Sequence, residues 1–256
     1  MLLAVDIGNI HIGLGVHDGE RWVSRFRIRT VPEKTPDEYA VLLEGLLGQR
    51  GIALRGVAGT IVASVVPPLT EVFRKLCEDL IGCEFLALGP GVRTGLDLRV
   101  DHPAEVGADL VANAVAAYAR FGETCIVVDF GTATTFSAVA APGAFVGVAI
   151  APGLEVAAGA LARRAAQLPA VPLSPPRRAI GRNTREAMQS GLIYGYVGLV
   201  EGLIRSIKAE LGGRARTIAT GAYAEPIVSL TELIEVHEPW LTLEGLRLIA
   251  ARNRYP

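Results

Sequence analysis

The chain opens on an aliphatic run, Leu2-Leu3-Ala4-Val5-Asp6-Ile7, closed by Gly8-Asn9. Such a run bounded by turn residues predicts a buried strand. Two further strands are predicted over 12–17 and 22–29, where apolar and polar positions alternate. The same order recurs later: Cys125-Ile126-Val127-Val128-Asp129-Phe130-Gly131-Thr132, then strand-like runs over 134–140 and 144–150. After each set the period changes from two residues to 3.6, the helical repeat. Helices are predicted over 36–49, 68–81 and 104–120 in the first half, with strands over 57–64 and 85–88. Pro67-Pro68 suits a helix start, where the missing N–H costs nothing. In the second half a helix is predicted over 153–167, a proline-rich loop over 169–176 and a long helix over 184–211. A strand over 216–220 and a last helix over 242–252, capped by Thr242 with Glu244 nearby, complete the pattern. Strands followed by helices in both halves predict α/β layers. The repeat is about half the chain long, so it marks a duplicated domain rather than a solenoid. The expected domains are 1–118 and 119–256.

Four glycines interrupt the long helix: Gly191, Gly195, Gly198 and Gly202. Each costs about 0.8–1 kcal/mol relative to alanine. Their spacing lines them along one side, which predicts close approach by another helix, from this chain or a second subunit.

Composition narrows the function classes. Half of the 256 residues are apolar, and 25 basic residues stand against 26 acidic ones. That excludes a disordered chain and a charge-driven nucleic-acid binder, so no nucleic-acid partner is expected. No run of about 18 uncharged apolar residues predicts a membrane span, and no secretory leader is recognisable; a cytoplasmic protein is expected. Cys77, Cys83 and Cys125 are odd in number and lack a Cys-x-x-Cys spacing, which reads as buried or reduced thiols. His11, His17, His102 and His237 show no metal-ligand spacing and read as surface or turn residues.

The chemistry sits at the two strand ends. In Asp6-Ile7-Gly8-Asn9 a carboxylate ends a strand and a glycine opens the backbone beside it. A carboxylate there can hold hydrated magnesium, and glycine lets phosphate oxygens reach main-chain N–H groups. Asp129-Phe130-Gly131-Thr132-Ala133-Thr134-Thr135 offers the same with added hydroxyls. One Asp-x-Gly is an ordinary turn; two at matching places in a repeated pattern point to a nucleotide site. Other nucleotide signatures fail. There is no Gly-x-x-x-x-Gly-Lys-[Ser/Thr], and Gly13-Leu14-Gly15 lacks the third glycine of a dinucleotide fingerprint.

These residues resemble the type III pantothenate kinases of the actin, sugar-kinase and Hsp70-type ATPase superfamily. The likeness also covers Ala63-Ser64-Val65-Val66-Pro67, Glu105-Val106-Gly107-Ala108-Asp109, Ile150-Ala151-Pro152-Gly153, Gly181-Arg182-Asn183-Thr184, Met188-Gln189-Ser190-Gly191 and Leu241-Thr242-Leu243-Glu244-Gly245-Leu246. It implies two ribonuclease-H-like (actin-like ATPase) domains in a duplicated βββαβα arrangement with an interdomain cleft. It implies transfer of the γ-phosphate of ATP to the primary hydroxyl of pantothenate, the first step toward coenzyme A. Magnesium, a monovalent cation (potassium or ammonium) and a homodimer are implied with it.

Residue by residue, the resemblance implies Asp109 as general base. It implies ATP phosphate contacts from Asp6, Ile7, Gly8, Asn9, Ile10, His11, Ile12 and Gly13, and from Thr132 and Gly221. Asp6 is the expected magnesium ligand and Asp129 the monovalent-cation ligand. The acceptor pocket is expected at Val100, Gly107, Ala108, Asp109, Leu110 and Thr184, the last reaching across the dimer. Taken alone, Asp109 also reads as a first-turn acid and Thr184 as an N-cap. The chain departs from the family pattern at three of these places and at one beside them. Ile10 replaces a threonine, Leu110 an arginine, Val100 a tyrosine, and Ala222 a glycine after Thr220-Gly221. Two alternatives therefore stand beside the active kinase: a catalytically impaired homologue acting as a ligand-binding or regulatory protein, and a kinase for a different small alcohol.

Overall fold

The computed structural model describes residues 1–255. Each half of the chain lays down a three-stranded antiparallel meander, then parallel strands reached through helices. In the first half these are β1 (Leu2–Ile7), β2 (His11–His17) and β3 (Trp22–Arg29). Helix α1 (Pro36–Gly48), β4 (Gly59–Ser64), α2 (Pro67–Lys75) and β5 (Glu84–Ala87) follow. The sheet order is β3-β2-β1-β4-β5, with β4 parallel to β1 and β5 parallel to β4. The chain then passes through β6 (Asp97–Leu98) and α3 (Ala108–Phe121). The second half repeats the scheme with β7 (Cys125–Phe130), β8 (Ala133–Ala140) and β9 (Ala144–Pro152). Helices α4 (Leu154–Arg164) and α5 (Thr184–Glu210), β10 (Arg216–Thr220), α6 (Glu225–Val228), β11 (Val236–His237) and α7 (Leu241–Arg252) complete it. Its sheet runs β11-β10-β7-β8-β9, with β6 added in parallel at the β9 edge. Read from either antiparallel edge, both sheets show the same order and directions, the ribonuclease-H-like duplication.

The chain divides into two compact units. Among the described residues the first holds 1–96, 101–116 and 240–255, and the second holds 97–100 and 117–239. Residues 240–255, grouped by sequence order with the second half, therefore pack in the first unit, and the boundary expected after 118 falls inside α3.

In the first unit the odd positions of β1, Leu3, Val5 and Ile7, join Ile12, Leu14 and Val16 of β2 in a core with Tyr39, Leu43, Leu69 and Phe73 of α1 and α2. The opposite face of the sheet takes α7. Gly15 makes room there, since a Cβ would stand 2.6 Å from the Trp22 ring and 3.0 Å from Leu243. Helix α7 also meets α3 backbone to backbone: a Cβ at Gly245 would lie 1.9 Å from the Ala112 carbonyl oxygen. Polar groups fix its rotation. Trp22 Nε1 donates to Glu244 Oε2 at 3.0 Å, and Arg247 Nη2 donates to Oε1 at 2.5 Å. Burial pushes the Glu244 carboxyl up, but these donors outweigh it and hold the group below its ordinary value. In the second unit Phe130 and Phe136 pack with Ile193, Tyr196, Val200 and Ile204 of α5.

Several local expectations change. The helix expected from 104 starts at Ala108; residues Pro103–Glu105 form a separate 3₁₀ turn. The helix expected over 68–81 is α2 followed by a π-helical turn, Leu76–Ile81, ended by Gly82 at φ +76°. Asn183, not Thr184, caps α5, its side chain accepting from the Glu186 N–H. Thr242 does not cap α7; it is buried one residue inside the helix. His17 is buried rather than superficial, its Nδ1 accepting from the Gly19 N–H at 3.1 Å. All three cysteines are buried thiols, and burial pushes Cys125 up to about 12. Among the described residues no helix is long and apolar enough to cross a membrane.

Candidate active site

Asp6 is half-buried near the end of β1, where the strand leaves the hydrophobic layer. The turn after it closes by a Gly8 N–H bond to the His11 carbonyl at 3.0 Å. Thr30 Oγ1 donates to the Gly8 carbonyl at 2.6 Å, and the Thr30 N–H to the Ile10 carbonyl at 2.9 Å. The loop is thus pinned from β3's end. Asn9 is exposed, and Ile10 and His11 are half-buried, while Ile7 and Ile12 point into the core. Gly13 pairs with Asp6 across β1 and β2. A Cβ there would stand 3.7 Å from Asp6 Cβ and 4.0 Å from the Trp240 ring, so the missing side chain keeps the carboxylate's flank open. One carboxylate with a glycine-opened loop suits a magnesium ion that takes its other ligands from water and phosphate. Among the described residues there is no group of three or more metal-binding side chains.

Asp109 belongs to the same unit and sits in the first turn of α3. Its Oδ1 accepts from the Leu110 N–H at 2.9 Å. Burial pushes its carboxyl above the ordinary aspartate value, and the backbone N–H groups offset only part of that. A Cβ at Gly107 would meet Asp109 Oδ1 at 2.5 Å, so a side chain there would push the carboxylate from this position. Gly107 and Ala108 are half-buried and Leu110 is buried, its side chain giving no charge beside the acid.

The second unit carries the matching tip. Asp129 is half-buried near the end of β7, followed by a turn in which the Gly131 N–H bonds the Ala133 carbonyl at 3.0 Å. Thr132 is exposed at its apex. Gly153 supports the turn from beneath: a Cβ there would stand 2.3 Å from the Thr132 carbonyl oxygen. The Tyr196 hydroxyl donates to the Pro152 carbonyl at 2.9 Å and contacts Thr134 Oγ1, tying α5 to β8 and β9. Gly221, at φ +97°, closes over Asp129; a Cβ would lie 2.6 Å from its Oδ1 and from the Phe130 backbone. Thr220, Asp129 and Thr135 share one register position across β10, β7 and β8, so their side chains share a face. Thr135 Oγ1 is buried there without a hydrogen-bond partner. A carboxylate beside an orphaned hydroxyl, under a glycine that leaves space, is a donor set that fits a monovalent cation.

Val100 and Thr184 also belong to the second unit. Thr184 borders an apolar cavity of about 410 Å³ lined by Leu161, Leu168, Met188 and Leu192. None of the four α5 glycines has an atom of this chain within 4 Å of a built Cβ, so nothing within the described chain covers them.

The comparisons with known proteins bear on this arrangement. A family profile described as "Type III pantothenate kinase" matches residues 2–206. The chain belongs to the type III pantothenate kinase family. Relatives of that name agree over nearly their whole length. The Moorella thermoacetica protein is 46% identical over 99% of this chain and 100% of its own. The Roseiflexus sp. protein is 49% identical over the same shares. Solved structures confirm the fold alone. A putative 2-dehydro-3-deoxygalactonokinase from Sinorhizobium meliloti superposes with a TM-score of 0.63 at 14% identity, covering 100% of this chain and 97% of its own. A conserved putative Baf family transcriptional activator from Campylobacter jejuni gives 0.62 at 17%, covering 98% of each chain.

Reading motifs alone missed the part Gly153 plays beneath the second tip, and Trp240 near the Gly13 position that flanks Asp6. Gly153 ends the motif Ile150-Ala151-Pro152-Gly153, which was the available signal. Trp240 directly precedes Leu241-Thr242-Leu243, but no spacing ties it to Asp6.

Proposed function

We propose that this protein phosphorylates pantothenate to 4'-phosphopantothenate with ATP, the first step of coenzyme A biosynthesis. The observation that carries the reading is family membership over nearly the full chain, with both acidic tips and Asp109 retained. The primary hydroxyl oxygen of pantothenate forms a bond to the γ-phosphorus as the bond to the β-phosphate bridging oxygen breaks, and ADP leaves. Asp109 accepts the hydroxyl proton. An alcohol is far less acidic than any carboxylic acid, so that proton moves late, as phosphoryl transfer proceeds. Burial lifts the Asp109 pKa toward that task. The resemblance assigns the phosphates to Asp6 and residues Gly8–Gly13 of the first unit, and likewise to Thr132 and Gly221 of the second. Magnesium on Asp6 would neutralise phosphate charge. Asp129, with the orphaned Thr135 hydroxyl, is assigned a potassium or ammonium ion. Gly107, Ala108, Leu110, Val100 and Thr184 line the acceptor. The open glycine side of α5 supports a homodimer, and ATP and pantothenate as substrates suit a cytoplasmic enzyme.

The test is a coupled ADP-release assay with magnesium and potassium, with and without pantothenate. Pantothenate-dependent turnover, abolished in Asp109→Asn, is expected. Binding of ATP without turnover would replace this reading with an impaired, ligand-binding homologue. Turnover only with another alcohol would assign a different acceptor.

A further inference from the structure

One exposed cation of the first unit stands close to Asp6 without a role so far. Arg27 of β3 pairs with Gly13 of β2, and Gly13 pairs with Asp6 of β1. Residues at one register position project to one face, so Arg27 and Asp6 look the same way from strands about 9.6 Å apart. Gly13 itself contributes no side chain to the lane between them. The Trp240 ring borders that lane, 4.0 Å from the position of a Gly13 Cβ, which itself would lie 3.9 Å from Asp6 Oδ2. The Arg27 guanidinium carbon lies 5.0 Å from the Trp240 ring centre, a cation–π distance. Arg27 is exposed, and among the described residues it makes no ion pair. Stacking on the ring face consumes none of its N–H groups, so the planar fork keeps its donors.

A neighbouring pair supplies the control. Arg25, two residues back on the same face, lies 5.4 Å over Trp22. Trp22 is bonded to the Glu244 carboxylate, which Arg247 already engages. Arg25 thus stands over a ring whose polar end is spent on α7. Arg27 stands over a ring that reaches the Gly13 position flanking Asp6. The charge that position 110 does not provide is available here.

We propose that Arg27, oriented by Trp240, binds an anionic oxygen group of the reactants in front of Asp6. Two sources share that chemistry, a phosphate of ATP and the carboxylate of the acceptor. The proposal rests on the kinase reading above for its acceptor arm but not for its nucleotide arm.

The experiment compares Arg27→Gln with the control Arg25→Gln in steady-state turnover and in ATP titration calorimetry. A charge-assisted hydrogen bond is worth about 1.5–3 kcal/mol, or about 10- to 150-fold. If the carboxylate is the ligand, Arg27→Gln raises the pantothenate KM at least about 10-fold, and the effect collapses with an analogue whose carboxylate is reduced to an alcohol. If a phosphate is the ligand, ATP affinity or kcat falls by the same factor with either acceptor. Arg25→Gln changes each by less than about 2-fold, as exposed charges do. Trp240 is a positioning residue, so Trp240→Leu weakens the wild type but adds nothing in the Arg27→Gln background. Arg27→Gln indistinguishable from Arg25→Gln in every parameter overturns the proposal, and additive losses overturn the part given to Trp240. If wild type fails to turn over pantothenate, the kinase reading falls by itself. Calorimetry then decides: weaker ATP binding by Arg27→Gln sustains the proposal, and unchanged binding overturns it.

Discussion

Gly221 offers the sharpest perturbation, because two separate costs meet at one residue and a neighbour isolates one of them. Gly221→Ala must hold an L side chain at φ +97° and place its methyl 2.6 Å from Asp129 Oδ1, Phe130 N and Phe130 O. Gly212→Ala faces φ +84° with nothing within 4 Å. The left-handed backbone costs roughly 1–2 kcal/mol, and an overpacked methyl adds about 1–3 kcal/mol. Gly212→Ala is therefore expected to lose about 1–2 kcal/mol and Gly221→Ala about 2–5 kcal/mol. Two of the three close atoms are backbone, so relief falls on the third, the Asp129 carboxylate. Displacing it should raise the potassium concentration for half-maximal activation about 10-fold or more in Gly221→Ala, and leave it unchanged in Gly212→Ala. Calorimetric unfolding gives the first comparison and a potassium titration of ADP release the second. Equal destabilisation of the two variants, with identical potassium curves, would refute both the contact and the role of Asp129.

Asp109→Asn should lower kcat/KM about 10²- to 10⁴-fold, the usual worth of a general base, with little change in ATP affinity by calorimetry. The same variant should unfold at higher temperature than wild type at pH 7. The native Asp109 pKa is raised by burial, so its stabilising proton is held below the ordinary aspartate range and lost as pH rises through the native value. The stability gap should close on acidification, and the acidic limb of kcat/KM should lie above the ordinary aspartate pKa. Gly245→Ala, whose methyl would meet the Ala112 carbonyl at 1.9 Å, should lose about 3 kcal/mol to the clash and regain about 1 kcal/mol of helix propensity; urea unfolding measures the net. Gly195→Arg on α5 should halve the sedimenting mass if that open side is the subunit contact, and an unchanged mass would separate the dimer from this helix.

The two acidic tips and the meander strands were legible because alternation, β-branching and Asp-x-Gly all act within a few residues. Helix starts were less so. Pro103-Ala104-Glu105 reads as a helix opening, yet it is a 3₁₀ turn closed by extended backbone at Val106, and α3 proper begins at Ala108. The choice between Asn183 and Thr184 as a cap turns on one backbone angle that either residue type adopts. Strands β6 and β11 are two residues long and carry no period. The docking of α7 was hidden for a different reason. Its partners are absences, the missing side chains of Gly15 and Gly245, and a glycine does not announce which distant element comes close. The Arg27–Trp240 stack depends on that docking and on the register of three strands, so no local motif could announce it.

The return of α7 to the first sheet also sets an order of assembly. A ribosome delivers the chain from its amino end, so the β1–β2 surface that receives Leu243 waits bare while everything up to residue 239 is made. A premature stop only fifteen or so codons early would spare the second unit and leave the first without its lid of hydrocarbon, a lesion far larger than the length removed.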